Sequence, residues 1–144
     1  MALDDRITMR LFNFSSRSEL FDFAANNFLE LGINAIKDHK HFYVALSGGS
    51  TAQAFFKTLS TQKLPTELLE SSNFFFSDER AVALSSNDSN AGNAWRLFLE
   101  PCKVSASLFF APYDDEEQPK KAAYAYEQLI KDRLPKNVEN IPVF

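Results

Sequence analysis

The chain has 144 residues, the size of a single domain, and its 45% hydrophobic and 24% charged residues, with fifteen phenylalanines, argue for a packed core and against disorder. Fifteen Lys and Arg against 19 Asp and Glu leave a formal net charge of −4 with no basic stripe, which argues against nucleic acid as a partner but not against a small anionic metabolite, for which local donors outweigh net charge. One cysteine, Cys102, allows no intrachain disulfide, no apolar run approaches the ~20 residues of a membrane span, and the charged N-terminus lacks a secretory apolar core, so a cytoplasmic protein without a membrane partner is predicted.

In chain order, alternation over residues 8–14 predicts a first strand. Ser16-Arg17-Ser18-Glu19 reads as a capping box. Leu20, Ala24, Phe28, Leu31 and Ala35 then recur at helical spacing, predicting a helix to about Lys37. Residues 42–46 form a short apolar strand that stops at a Gly-Gly turn, and residues 52–59 follow as a helix. Residues 73–76 are apolar on both faces, like a buried parallel strand. Residues 85–90 are a polar loop, with Asn90 as the cap of a helix through Trp95, Phe98 and Leu99 that Pro101 stops. Residues 107–111 predict another strand, and residues 114–118 an acidic linker or cap. A helix over 120–134 turns Ala123, Tyr126, Leu129 and Ile130 inward, and residues 141–144 approach one more strand. Alternating strands and helices predict a single α/β domain over 1–144.

Two strand ends carry the chemistry. In Ser47-Gly48-Gly49-Ser50-Thr51 the glycines allow a sharp bend, successive amides can face one concavity at a helix start, and two hydroxyls add donors. That is the chemistry of a phosphate cradle, although no lysine follows the second glycine as a Walker loop requires, and a Gly-Gly turn also serves as plain structure. At the second end, an extended chain would point Asp78 and Arg80 to one side and Glu79 to the other. Arg80 can hold a carboxylate or phosphate with two hydrogen bonds, and Asp78 can orient it; the alternative is a surface ion pair worth no more than ~1 kcal/mol. His39 and His41 precede the 42–46 strand, so about 20 Å of extended chain, at roughly 3.3 Å per residue, separates His41 from Ser47. Neither histidine serves as a base at the glycine bend. The acidic run at 114–117 lacks the neighbours of a metal site, so no metal is expected.

Leu46-Ser47-Gly48-Gly49-Ser50-Thr51, then Phe75-Phe76-Ser77-Asp78-Glu79-Arg80 with Val82, then Ser89-Asn90, resemble the 6-phosphogluconolactonase family in type and order. Ala122-Ala123-Tyr124-Ala125-Tyr126-Glu127 is similar to a later helix of that family, and Ile141-Pro142-Val143-Phe144 to the approach to its next strand. The resemblance implies a three-layer α/β/α Rossmann-like, mainly parallel sheet, ending here before a further strand. It implies hydrolysis of 6-phospho-D-glucono-1,5-lactone to 6-phospho-D-gluconate in the oxidative pentose phosphate pathway, with no cofactor and a small phosphosugar lactone as the binding partner. Ser47, Gly48, Gly49, Ser50, Thr51, Arg80 and Asn90 would bind substrate and phosphate, with Asp78 and Arg80 supporting catalysis. Related glucosamine-6-phosphate deaminases place tyrosine where Arg80 stands, so Arg80 favours the lactonase. Ala52 stands where many members have proline. The family's base is a histidine in a Gly-x-x-Gly-His segment without a match here, so the resemblance implies an N-terminal part that is inactive alone. The alternatives are a non-catalytic sugar-phosphate-binding or partner-binding protein, or an amino-sugar-phosphate deaminase or isomerase.

Overall fold

Ser16 opens the first helix as its sequence requires: its hydroxyl accepts the Glu19 N–H at 3.2 Å, and Glu19 reaches back to the Ser15 N–H at 2.9 Å. The helix, α1, runs Arg17–His39 and ends at Lys40 in the left-handed conformation. The structure, a computed structural model, describes residues 10–113 and 118–144. After α1 come β1 (Phe42–Leu46), α2 (Gly49–Thr61), α3 (Thr66–Ser71), β2 (Ser72–Phe76), α4 (Asn90–Ala94) and α5 (Pro119–Arg133). A π-helical turn over Trp95–Leu99 continues α4, and a 3-10 turn covers Ala106–Leu108.

β1 and β2 pair in parallel with Leu46 opposite Phe76, so both strands end at the same sheet edge. Phe109 bridges Phe74 in parallel on the far side of β2, and the Phe110 N–H donates to the Phe74 carbonyl at 2.9 Å. Phe74 and Phe76 face a core built from α1, α2, α3 and the Trp95–Leu99 turn, with Phe28, Phe56, Leu59, Leu68 and Phe98 buried. Phe75 points to the opposite face, where it stacks on Phe110 at 4.8 Å and meets Phe144 edge-on. The Arg133 guanidinium at the end of α5 lies 5.3 Å from the Phe110 ring centre, placing that helix on the Phe75 side. Helices on both faces of a parallel pair give the α/β fold that the strand–helix alternation predicts.

Several expectations are corrected. Residues 10–14 form no strand; Phe12 and Phe14 instead lay their rings on Phe23 of α1, at 4.8 and 5.2 Å, and residues 8 and 9 lie outside the described residues. The strand expected over 107–111 shrinks to the single Phe109 bridge, because Ser105 accepts the Ser107 N–H and winds the preceding residues into the 3-10 turn. On α1 the inward stripe is Ala25, Phe28 and Gly32, while Leu20 and Leu31 are exposed. On α5 Ala122 is buried, and Ala123 is exposed. Gln118 flanks α5 without a side-chain cap, and the remainder of the acidic linker, 114–117, lies outside the described residues.

Gly32 shows how tightly α1 sits. A Cβ there would stand 2.4 Å from Leu68 Cδ1 and 2.9 Å from the Phe42 ring, and Leu68 is buried. Gly32→Ala gains up to about 1 kcal/mol of helix propensity but overpacks by roughly 1–3 kcal/mol. A net loss of about 1 kcal/mol is expected in a urea titration. A variant as stable as the parent would mean that Leu68 swings aside.

Candidate functional site

β1 delivers Ser47 and β2 delivers Ser77 to one edge, and Ser77 ties the two ends together. Its N–H and hydroxyl both donate to the Leu46 carbonyl, at 2.8 and 3.2 Å. Beyond Ser47 the chain bends at Gly48 and enters α2 through Gly49, whose φ of +90° lies where glycine is favoured. Gly48 caps α2 without a side chain, and the first turn holds no acidic residue. The N–H groups of Gly49, Ser50 and Thr51 therefore open the positive end of a 13-residue helix, and all three residues are exposed.

Gly48 lies against Asn90. A Cβ on Gly48 would fall 1.7 Å from Asn90 Oδ1, an approach that only glycine permits. Asn90 is 5% exposed, and its Nδ2 donates to the Asp78 carboxylate at 3.1 Å and to the Asp78 carbonyl at 3.2 Å. Gly48, Asn90 and Asp78 thus form one continuous contact joining the two strand ends.

Asn90 is not the cap of its helix. Ser89 is: its hydroxyl accepts the Gly92 N–H at 2.9 Å, while the Asn90 and Ala91 N–H groups donate to Glu79. Glu79, which sequence alternation turns away from the site, is its most heavily bonded carboxylate. The extended geometry stops at Phe76, so Asp78 and Glu79 both reach the start of α4, the first through the Asn90 side chain and the second through its main chain. An acidic residue eleven positions before a capped helix start is too general a signal to have marked it. Arg80 is exposed, and its guanidinium makes no ion pair among the described residues.

Tyr126 on α5 closes the far side of β2. Its hydroxyl accepts the Phe76 N–H at 2.7 Å and donates to the Phe76 carbonyl at 3.3 Å. Burial, aided by the Glu79 charge and opposed by the Phe76 hydrogen bond, pushes the phenol up to about 12. The tyrosine lines a cleft of about 230 Å³ with Ser77, Asp78, Glu79, Ala81 and Tyr113. His39 ends α1 and His41 precedes β1, at the opposite end of the strand from Ser47. Among the described residues no cluster of His, Cys, Asp and Glu is placed to hold a metal ion.

A parallel α/β sheet with a glycine bend and an Asp-Glu-Arg strand end at one edge defines a recognisable class. The sequence model for glucosamine-6-phosphate isomerases/6-phosphogluconolactonase matches residues 15–144, and the chain belongs to that family. It is 32% identical over 109 residues to a 6-phosphogluconolactonase of Treponema pallidum, covering 76% of this chain and 44% of that protein. Its fold is similar to that of a 6-phosphogluconolactonase from Trypanosoma cruzi, with a TM-score of 0.72 at 28% identity over 91% of this chain and 54% of the other. A 6-phosphogluconolactonase from Thermotoga maritima gives a TM-score of 0.71 at 26% identity, over 81% and 51% respectively. The chain spans about half the length of the relatives it matches.

Proposed function

We propose that the protein serves the hydrolysis of 6-phospho-D-glucono-1,5-lactone to 6-phospho-D-gluconate, in the cytoplasmic oxidative pentose phosphate pathway, and that this chain supplies the edge that holds the phosphosugar. The observation that carries the reading is the open start of α2, braced by Gly48 against Asn90 and Asp78. Exposed amides at Gly49, Ser50 and Thr51 suit a phosphate or a developing oxyanion, and the two hydroxyls add donors. Arg80, exposed at the neighbouring strand end, adds a fork-shaped cation for phosphate or carboxylate. Asp78 orients Asn90. Arginine at position 80 favours the lactone reaction over amino-sugar-phosphate deamination.

Opening the lactone also needs a base for the attacking water, a contribution of typically 10²–10⁴-fold. Both histidines of the chain stand at the other pole of β1. The 144-residue chain is therefore expected to bind product without turning over substrate. In an amide NMR titration, 6-phosphogluconate should shift Gly49, Ser50 and Thr51, and gluconate should not. Lactone added to the chain should open at its spontaneous rate. Absent shifts would defeat the binding assignment, and turnover well above background would defeat the claim of inactivity.

A further inference from the structure

Two of the helices that start at this sheet edge, α2 and α4, have their positive ends treated in opposite ways. At α2, among the described residues, the first-turn amides meet no side-chain cap. At α4 all three are taken: Asn90 N–H by Glu79 Oε1 at 2.7 Å, Ala91 N–H by Glu79 Oε2 at 2.8 Å, and Gly92 N–H by Ser89 Oγ at 2.9 Å. Glu79 also accepts the Ser89 hydroxyl at 3.1 Å and the Arg80 N–H at 2.7 Å. One carboxylate thus receives four hydrogen bonds, from its own strand end and from the helix that follows the loop.

We infer that Glu79 is the positioning residue of this site, tying the strand end that carries Arg80 to the helix start whose Asn90 braces Gly48. Its charge neutralises the start of α4, so of these two helix starts only α2 offers a phosphate open amides. It also fixes both sides of the contact that joins the strand ends. Through the Arg80 N–H it sets the backbone that carries Arg80, and through the Asn90 N–H it sets the residue whose side chain touches Gly48 and bonds Asp78. Its functional consequence rests on the sugar-phosphate reading above; its structural consequence does not.

Glu79→Gln keeps the shape but replaces one acceptor oxygen with a donor, so two of the four donors lose their partner. In the intact chain the Arg80, Asn90 and Ala91 amide protons should resonate downfield and exchange slowly. In Glu79→Gln they should move upfield and exchange roughly tenfold faster, and 6-phosphogluconate affinity should fall about tenfold. Ser89→Ala removes one donor to Glu79 and should shift the same amides less, which keeps the test available if Glu79→Gln folds poorly. Ile36→Val, a core change in α1 away from the site, should lower stability and leave affinity unchanged, separating position from stability. Unmoved amides in Glu79→Gln, or an affinity within about twofold of the parent in the folded variant, would overturn the inference. If the parent chain bound no 6-phosphogluconate, the sugar-phosphate reading would fail, and the amide shifts would still decide the role of Glu79.

Discussion

Gly48→Ala is expected to uncouple the two strand ends. The new methyl carbon would sit 1.7 Å from Asn90 Oδ1 and 2.2 Å from its Cγ, so one group must leave. Backbone strain is not the cause, because Gly48 has φ −111° and ψ −169°, which any residue adopts. Asn90 cannot simply rotate: it is buried, its amide is bonded twice to Asp78, and its main chain is bonded to Glu79. Relief therefore breaks the Asp78 contacts or lifts the α2 start away from β2. Overpacking of this kind costs roughly 1–3 kcal/mol, and two lost hydrogen bonds to a charged residue add to it. Sugar-phosphate affinity should fall at least tenfold, because the α2 start would no longer be braced through Asn90 against Asp78. Calorimetric titration with 6-phosphogluconate reads that loss. Adding Asn90→Ala to Gly48→Ala removes the collision and should return part of the stability, giving a coupling energy of about 1 kcal/mol or more. A double variant that is merely the sum of the two single losses would show that Gly48 and Asn90 act independently.

How much of this was legible in the sequence depends on the range of the interactions. β1 and β2 end where apolar runs meet Ser47 and Ser77, and the Ser16–Glu19 box fixes the start of α1; each signal is local and strong. Ser89 and Asn90 both cap helices well, so residue type cannot choose between neighbours; the choice falls to Ser89 because Glu79 already holds the Asn90 N–H. The stretch at 107–111 is apolar enough for a strand, but Ser105 offers its backbone a local partner, and only Phe109 reaches β2. Alternation over residues 10–14 was real but had no ladder to join, and the rings of Phe12 and Phe14 pack on α1 instead. In alanine-rich α5 adjacent small residues blur the phase, and Ala122 rather than Ala123 turns inward. Glu79 stayed hidden because its partners lie ten to twelve residues downstream, across a loop whose path no short pattern encodes.

Phe98→Ala is expected to be the most damaging single truncation of the core. The ring is fully buried in the Trp95–Leu99 turn and lies within 6.4 Å of three other rings: Phe28 of α1 and Phe74 of β2 edge-on, and Phe56 of α2 stacked. It is therefore the point where two helices and the sheet meet the run that begins at Asn90. Such a truncation costs about 3–5 kcal/mol from transfer and cavity together, against a total stability of roughly 5–15 kcal/mol for a domain. The three lost aromatic pairs, each worth about 0.5–1.5 kcal/mol, place the loss toward the upper end of that truncation cost. Phe98→Leu keeps most of the volume but removes the ring geometry, and should cost about 1–2 kcal/mol. Guanidinium unfolding followed by Trp95 fluorescence resolves both, since the indole sits in the same turn. A Phe98→Ala loss below 2 kcal/mol would mean that Phe28 and Phe56 collapse into the space, and that the start of α4 is held mainly by Glu79 and by the Arg96 bonds to the Leu84 and Ser86 carbonyls.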